Sequence, residues 1–84
     1  MARVLLFGAF ADAAGWRKQR IAGATIGEIR RAIADRQPDL GERLAATGTL
    51  VIIDHEIMRG DLASDDRALP DDAELAFGPP VSGG

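Results

Sequence analysis

The chain ends in residues 73–84, AELAFGPPVSGG, and the predicted fold is built outward from this stretch. Its first five residues alternate along the chain in the way that is typical of a β-strand. Pro79 and Pro80 follow directly, and proline-rich backbone is stiff and extended, with a rise of about 3.1 Å per residue. Gly83 and Gly84 carry no Cβ atoms, so the carboxylate at the chain end is sterically open. The stretch predicts a final strand leading into a stiff, slender tail that suits entry into another protein's active site.

The composition is that of one small globular domain. Hydrophobic residues make up 46% of the 84 residues and charged residues 27%, a balance that supports a single core. The absence of cysteine excludes disulfides, thiolate metal sites and a cysteine nucleophile. No apolar run is long enough to span a membrane and no signal peptide is visible. We therefore expect a cytoplasmic protein with no membrane contact.

Charge is divided unevenly along the chain. Residues 1–43 carry eight basic and five acidic side chains, a net charge of +3, whereas residues 44–84 carry two basic and eight acidic ones, a net charge of −6. The two halves sum to the net charge of −3. An acidic half next to the tail argues against a nucleic-acid partner and favours a basic protein partner.

Hydrophobic periodicity predicts the other elements. Thr25 and Glu28 match a capping box, which predicts a main helix that begins after Thr25 and stops at Gln37-Pro38. The remaining predicted segments are an interior apolar strand (3–10), a turn (11–15), a polar edge strand (17–21), a short helix (39–46), a buried strand (50–53), a short strand (57–58), a loop (61–72) anchored by Leu62 and Leu69, and the final strand (73–77).

By itself the chain has no credible active site. His55 is the only histidine and has no partner motif, which is typical of a solvated turn residue. The five aspartates between residues 61 and 72 do not match a calcium-loop pattern, and Ser82 lacks a Ser-His-Asp arrangement. We predict no metal site and no cofactor bound by this chain, and the sequence leaves open whether it counts as an enzyme subunit.

The order of elements, ending in Gly-Gly, resembles the ubiquitin-like β-grasp fold. That resemblance implies an α+β fold in which a mixed sheet of four to five strands packs on one main helix plus a short helix. Residues 1–78 would form the β-grasp domain and residues 79–84 the extended tail. Within this fold, the ending LAFGPPVSGG (75–84) resembles the small subunit of molybdopterin synthase, as do the opening strand and residues 69–74, LPDDAE.

The resemblance implies a sulfur carrier. In that family an activating enzyme uses ATP and magnesium to adenylate the C-terminal carboxylate, here that of Gly84, and sulfur transfer converts it to a thiocarboxylate. The tail then enters the large synthase subunit, within a heterotetramer, and delivers sulfur to cyclic pyranopterin monophosphate in molybdenum cofactor biosynthesis. Catalytic acids and bases would lie in these partners. The tail residues implied are Pro79, Pro80, Val81, Ser82, Gly83 and Gly84.

The partner surface is predicted from the faces of the strands. In the first strand, period two puts Val4, Leu6 and Phe10 on one face and Leu5 and Phe7 on the other. One helix layer covers only one face of a small sheet, so an apolar second face is expected at the surface, where it marks a partner site. The predicted partner-binding residues are Leu5, Phe7, Ile57 and Phe77.

Three other functions fit the same sequence. A related carrier would use the same tail chemistry but supply sulfur to thiamine thiazole synthesis or to tRNA thiolation. A ubiquitin-like modifier would instead join Gly84 to lysine side chains through an isopeptide bond. An interaction module with an inert tail would carry no sulfur and form no isopeptide bond.

Overall fold

The computed structural model describes residues 1–80. One mixed sheet contains its five strands in the order β2-β1-β5-β3-β4. β5 pairs in parallel with β1 and antiparallel with β3, and the other two neighbouring pairs are antiparallel. In chain order the elements are β1 (Ala2–Leu6), α1 (Ala9–Ala14), β2 (Lys18–Ile21), α2 (Ile26–Arg36), α3 (Pro38–Ala45), β3 (Leu50–Ile53), β4 (Glu56–Met58), a 3₁₀ turn (Gly60–Ala63) and β5 (Glu74–Gly78). The predicted mixed sheet, with β1 in its interior and β2 at one edge, is confirmed.

The main helix, α2, begins and ends where the sequence predicts. The Thr25 hydroxyl accepts a hydrogen bond from the Glu28 N–H at 3.2 Å, which satisfies one of the N–H groups that a helix start leaves unpaired. α2 ends at Arg36, and Pro38 opens α3 in its first turn, where no N–H donor is needed. None of the helices in residues 1–80 is long and apolar enough to cross a membrane.

The core lies between the helices and the inner face of the sheet. Strand register aligns Val4, Leu75 and Ile53 across β1, β5 and β3, and all three side chains are buried. α2 contributes Ile26, Ile29 and Ile33, which lie at helical spacing and are all buried. Burial of each large aliphatic or aromatic side chain stabilises the fold by roughly 1.5–3 kcal/mol. The largest fully buried side chains are Phe77, Ile26, Ile29, Leu44, Leu75, Val4 and Val51.

Residues 9–14 form helix α1, and the prediction of a strand up to residue 10 followed by a turn is wrong. Gly8 ends the strand because its backbone turns at φ 55° and ψ −131°, a conformation that side chains with a Cβ rarely adopt. Phe10 is buried, but it reaches the core from α1 rather than from the face of β1. Gly15 closes the helix with φ 80°, and its N–H donates to the Ala11 carbonyl at 3.0 Å.

The loop before β5 is held mainly by its backbone. Leu69 packs against the core as predicted, but the predicted anchoring by Leu62 is wrong, because Leu62 is 49% exposed. The Gly27 N–H donates to the Asp65 carbonyl and the Leu69 N–H to the Ala24 carbonyl, both at 2.8 Å. A Cβ on Gly27 would lie 2.9 Å from the Asp65 carbonyl oxygen, so this approach requires glycine. The loop is thereby fixed to the start of α2.

Candidate functional site

β5 runs through the middle of the sheet and leads directly into Pro79 and Pro80. We call these two residues the tail base. Its last residue, Gly78, pairs with β3, and the Phe77 carbonyl accepts a hydrogen bond from the Phe7 N–H at 3.1 Å. A strand paired on both sides cannot slip along its neighbours without breaking both ladders. The tail base therefore follows the central strand of the sheet, which is held on both sides.

The tail base lies against two glycines in other loops. A Cβ on Gly8 would lie 3.4 Å from Cγ of Pro79, and a Cβ on Gly48 would lie 3.3 Å from Cβ of Pro80. Both glycines have a positive φ, 55° and 91° respectively. Each proline ring thus packs beside bare backbone, at the turn after β1 and at the turn before β3. These two turns therefore flank the tail base where it leaves the sheet.

Beside the tail base, the outer face of the sheet is apolar. Strand register places Leu5 of β1 beside Ala76 of β5. Ile52 of β3 lies between Ala76 and Ile57 of β4. A Cβ on Gly78 would lie 3.6 Å from Leu50 and 4.0 Å from Phe7, so these two side chains flank Gly78 on the side of the tail base. We call this surface the outer apolar patch; its members are Leu5, Phe7, Leu50, Ile52, Ile57 and Ala76.

The outer apolar patch is open to solvent within the described chain. Phe7 is 47% and Ile57 49% exposed, while Leu5, Leu50 and Ile52 are half-buried. Contiguous exposed apolar area on a small domain usually marks a binding surface. The patch reaches from the edge strand β4 to the tail base, so a partner that covers it would also receive the tail.

A charged row bounds the outer apolar patch on the side away from the tail base. Arg20 of β2 lies opposite Arg3 of β1, and Arg3 lies opposite Glu74 of β5. Nη1 of Arg3 is 3.9 Å from Oε2 of Glu74, and Nδ1 of His55 is 3.7 Å from Oε1 of the same carboxylate. Exposed pairs of this kind contribute about 0–1 kcal/mol to stability. The row therefore adds little to the stability of the fold. Its main effect would be to orient a charged partner on the sheet.

His55 lies in the turn between β3 and β4 with its side chain 85% exposed, which confirms the prediction of a solvated turn residue. Among residues 1–80, no three histidine, aspartate or glutamate side chains are grouped in a way that would hold a metal ion.

The sequence matches the ThiS family model over residues 4–84. The chain belongs to the ThiS family. Members of this family are ubiquitin-like sulfur carriers. A search of curated proteins by sequence found no match.

Three solved structures show how this ThiS-family chain folds. Small archaeal modifier protein 1 (SAMP1) from Methanosarcina acetivorans superposes with a TM-score of 0.84 at 23% identity, over 99% of this chain and 95% of that one. SAMP1 from Haloferax volcanii gives 0.78 at 29% identity, over 99% and 98%. CysO from Mycobacterium tuberculosis gives 0.81 at 16% identity, over 96% and 100%. The ubiquitin-like β-grasp fold is confirmed.

The predicted partner-binding residues of this ThiS-family chain separate into two groups. Leu5, Phe7 and Ile57 lie together in the outer apolar patch. The prediction that Phe77 is exposed is wrong: its side chain is fully buried on the inner face. Alternation along β5 puts Phe77 on the same face as Leu75, and the helices pack on that face. Ala76 lies on the outer face instead, between Leu5 and Ile52, and only 2% of it is exposed.

Sequence reasoning missed part of the site. Leu50 and Ile52 belong to the outer apolar patch, and alternation within residues 50–53 already put them on one face. Nothing in the sequence marked Gly8 and Gly48 as neighbours of the tail base, because both contacts join distant segments of the chain. The predicted tail residues Val81, Ser82, Gly83 and Gly84, including the reactive carboxylate, lie outside the described residues.

Proposed function

We propose that this chain carries sulfur as a thiocarboxylate at Gly84 and delivers it to an enzyme that docks on the outer apolar patch. The observation that carries the proposal is that the outer apolar patch adjoins the tail base. Phe7 and Leu50 belong to the patch, and they also flank Gly78, the end of the strand from which the tail leaves. A partner seated there would hold the sheet and receive the tail in one encounter. Membership of the ThiS family supports the same role.

The chemistry needs only the C-terminal carboxylate from this chain. A carboxylate is a poor electrophile, because neither oxygen is a good leaving group. In the proposed activation, a Gly84 oxygen attacks the α-phosphorus of ATP and expels pyrophosphate, which gives an acyl adenylate. A persulfide of the donor system then attacks the acyl carbon and expels AMP, which gives an acyl disulfide. A thiol of the donor system cleaves the S–S bond, so that a donor disulfide forms and a nucleophilic thiocarboxylate leaves, with one carboxylate oxygen replaced by sulfur. ATP and magnesium belong to the activating enzyme.

We further propose cyclic pyranopterin monophosphate as the sulfur acceptor, bound by the large subunit of molybdopterin synthase. The support is the tail sequence GPPVSGG (78–84) together with the opening strand and residues 69–74. In the proposed complex, the whole tail, residues 79–84, spans the distance between the docked sheet and a buried acceptor site. Extended proline-type backbone covers about 3.1 Å per residue, so residues 79–84 reach roughly 18 Å. The acids and bases for the transfer lie in the large subunit.

A second candidate, protein modification, is favoured by one comparison. The chain is 29% identical to Haloferax volcanii SAMP1, which is named as a small archaeal modifier protein. In this alternative the same Gly84 adenylate is passed to the amine of a lysine, which forms an isopeptide bond. Both candidates share activation and differ in the final acceptor.

Intact mass tests the shared step. The full chain is incubated with an activating enzyme from the same organism, ATP, magnesium and a sulfur source. A gain equal to replacing one oxygen by sulfur is expected in the full chain. The matched control is the chain from which Gly84 has been deleted, and no gain is expected there. No gain in the full chain with a competent enzyme, or a gain that survives deletion of Gly84, contradicts the proposal.

A second assay separates the two acceptors. The thiocarboxylate form is mixed with the large subunit of molybdopterin synthase and cyclic pyranopterin monophosphate, and dithiolene product is measured. Product formation at the expense of the thiocarboxylate supports the molybdopterin assignment. Absence of product, together with lysine-linked conjugates on a blot that disappear when Gly84 is deleted, favours the modifier.

A further inference from the structure

The outer face of the sheet has a basic flank beside the outer apolar patch. Strand register pairs Lys18 of β2 with Leu5 of β1, a member of the patch, and pairs Arg20 of β2 with Arg3 of β1. Residues that are paired across two strands share a face, so Lys18, Arg20 and Arg3 lie on the outer face together with the patch. Lys18 and Arg20 are exposed, and the Arg3 side chain is 38% exposed. We call these three residues the basic strip.

The basic strip is only partly neutralised. Nη1 of Arg3 is 3.9 Å from Oε2 of Glu74, whereas Lys18 and Arg20 form no ion pair within residues 1–80. Glu74 is the only acidic residue that strand register places on the outer face of this part of the chain. Three basic side chains against one acidic side chain give the outer face of the strands a net charge of +2. The remaining residues therefore carry −5, since the whole chain carries −3.

Arg3 and Arg20 lie directly opposite each other across two strands. Like charges in such a pair destabilise a sheet, whereas opposite charges stabilise it. Charge on an edge strand discourages pairing with another sheet, but that role needs charged residues on β2 alone. It does not account for the second arginine, which lies opposite on β1. A surface that brings carboxylates to the two guanidinium groups would relieve their repulsion, so this pair indicates an acidic binding partner.

We propose that the sulfur-accepting enzyme, in the docking role given above to the outer apolar patch, covers the patch with apolar side chains and presents carboxylates to the basic strip. Charge counted along the chain favours a basic partner, but most acidic side chains lie off the docking face. The placement of charge on the outer face therefore reverses that expectation. The strip lies along the β2 side of the patch, so its ion pairs select one orientation among those that an apolar contact alone would allow.

Charge reversal tests the basic strip through binding of the full chain to the large subunit of molybdopterin synthase. Surface plasmon resonance measures association and dissociation at about 0.1 M salt and at about 1 M salt, where charges are screened within about 3 Å. Lys18→Glu and Arg20→Glu are each expected to raise Kd roughly tenfold at the lower salt, mainly through slower association. The differences are expected to largely disappear at the higher salt. Arg31→Glu, the same charge change at an exposed position of α2 on the other side of the sheet, is expected to bind normally.

The repulsion between Arg3 and Arg20 also has a readout that needs no partner. Arg20→Glu puts a carboxylate opposite Arg3 and is expected to raise the melting temperature by about 2–4 °C. Arg20→Gln removes the repulsion without adding an attraction, and a rise of about 1–2 °C is expected. An Arg20→Glu variant that melts at a higher temperature and yet binds the enzyme more weakly separates a role in docking from a role in folding.

Four results would overturn the proposal. Unchanged Kd for both strip variants, together with weaker binding by Phe7→Ala, would show docking without an acidic surface and leave the proposed sulfur transfer intact. A lower Kd for either charge reversal would show a basic partner surface. A melting temperature of Arg20→Glu at or below that of the unaltered chain would remove the cost assigned to the Arg3–Arg20 pair. No binding by a chain whose Gly84 takes up sulfur would overturn this proposal and the molybdopterin assignment, but not the carrier chemistry.

Discussion

The guanidinium of Arg30 in α2 lies 5.6 Å from the centroid of the Phe77 ring in β5. Its Nη1 also donates to Oδ1 of Asp65 at 2.7 Å. One cation thus joins the main helix, the loop before β5 and the strand that carries the tail. Nε of Arg30 is buried and has no hydrogen-bond partner within residues 1–80, so this connection includes one unfavourable group.

Arg30→Ala is expected to lower the free energy of unfolding by about 1–3 kcal/mol. It removes a partly desolvated cation–π contact, an ion pair with an exposed carboxylate and the packing of a long side chain. Arg30→Met keeps much of the packing and removes the unpaired Nε, so its loss is expected to stay below about 1 kcal/mol. Urea unfolding followed by circular dichroism measures both. Equal losses for the two variants would show that charge, not packing, dominates.

Phe77→Ala and Phe7→Ala are expected to differ sharply in stability. Phe77 is fully buried, and truncating such a ring to alanine lowers the free energy of unfolding by about 3–5 kcal/mol. Phe7 is 47% exposed, so its truncation is expected to lower the free energy of unfolding by less than about 1 kcal/mol. Thermal unfolding compares the two, and each 1 kcal/mol corresponds to roughly 4–8 °C in a domain of this size. Similar melting temperatures would contradict the assignment of Phe77 to the core.

The same Phe7→Ala variant and Ile57→Ala are expected to weaken binding of the sulfur-accepting enzyme, the large subunit of molybdopterin synthase, by about 1–2 kcal/mol each, or roughly 5–30-fold in Kd. The reason is that both side chains lie half-exposed in the outer apolar patch, Phe7 at the tail base and Ile57 on the edge strand β4. Isothermal titration calorimetry measures the change. Glu42→Ala, an exposed position on α3, is the matched control and is expected to bind normally. Unchanged Kd values for both patch variants would remove the patch from this interaction.

Local sequence signals predicted the elements that depend on local physics. Thr25 caps α2, Pro38 opens α3, and alternation in residues 73–77 gives β5, because each signal acts within a few residues of the feature it produces. The burial of Phe77 also had a local signal, because alternation puts Leu75 and Phe77 on one face of β5 and the charged Glu74 on the other. The prediction of an exposed Phe77 did not use that signal. Residues 4–7 and 50–53 are apolar on both faces, so which face the helices cover there is decided by packing between distant segments.

Helix α1 was missed for a related reason. Alternation from Val4 to Phe10 fits one long strand, and only the conformation of Gly8 breaks it. A glycine in an apolar run is compatible with a strand, a bulge or a turn, so the residue alone does not distinguish them. The neighbours of the tail base could not be predicted from local signals, because Gly8 and Pro79 are far apart in the chain.

Gly8→Ala is expected to be more destabilising than Gly15→Ala. Gly15 lies in the left-handed helical region, at φ 80° and ψ 12°, with open space around it. Alanine at this position is therefore expected to lower the free energy of unfolding by about 1–2 kcal/mol. Gly8 combines φ 55° with ψ −131°, which is more strained for a residue with a Cβ, and its new methyl would touch Pro79. The expected loss is about 2–3 kcal/mol. Urea unfolding ranks the two variants, and an equal or smaller loss for Gly8→Ala would contradict the strain assigned to the turn after β1.

Replacing both prolines of the tail base, Pro79→Gly with Pro80→Gly, is expected to impair activation while leaving the domain folded. Stiff prolines limit the conformations that the tail must give up when it enters a partner, whereas glycines add freedom worth about 1 kcal/mol. We therefore expect KM for the activating enzyme to rise roughly fivefold and kcat to change little. Steady-state pyrophosphate release measures both constants, and Pro70→Ala, in an exposed turn before β5, is the control. An unchanged KM in the double variant would show that stiffness at the tail base has no part in recognition by this enzyme.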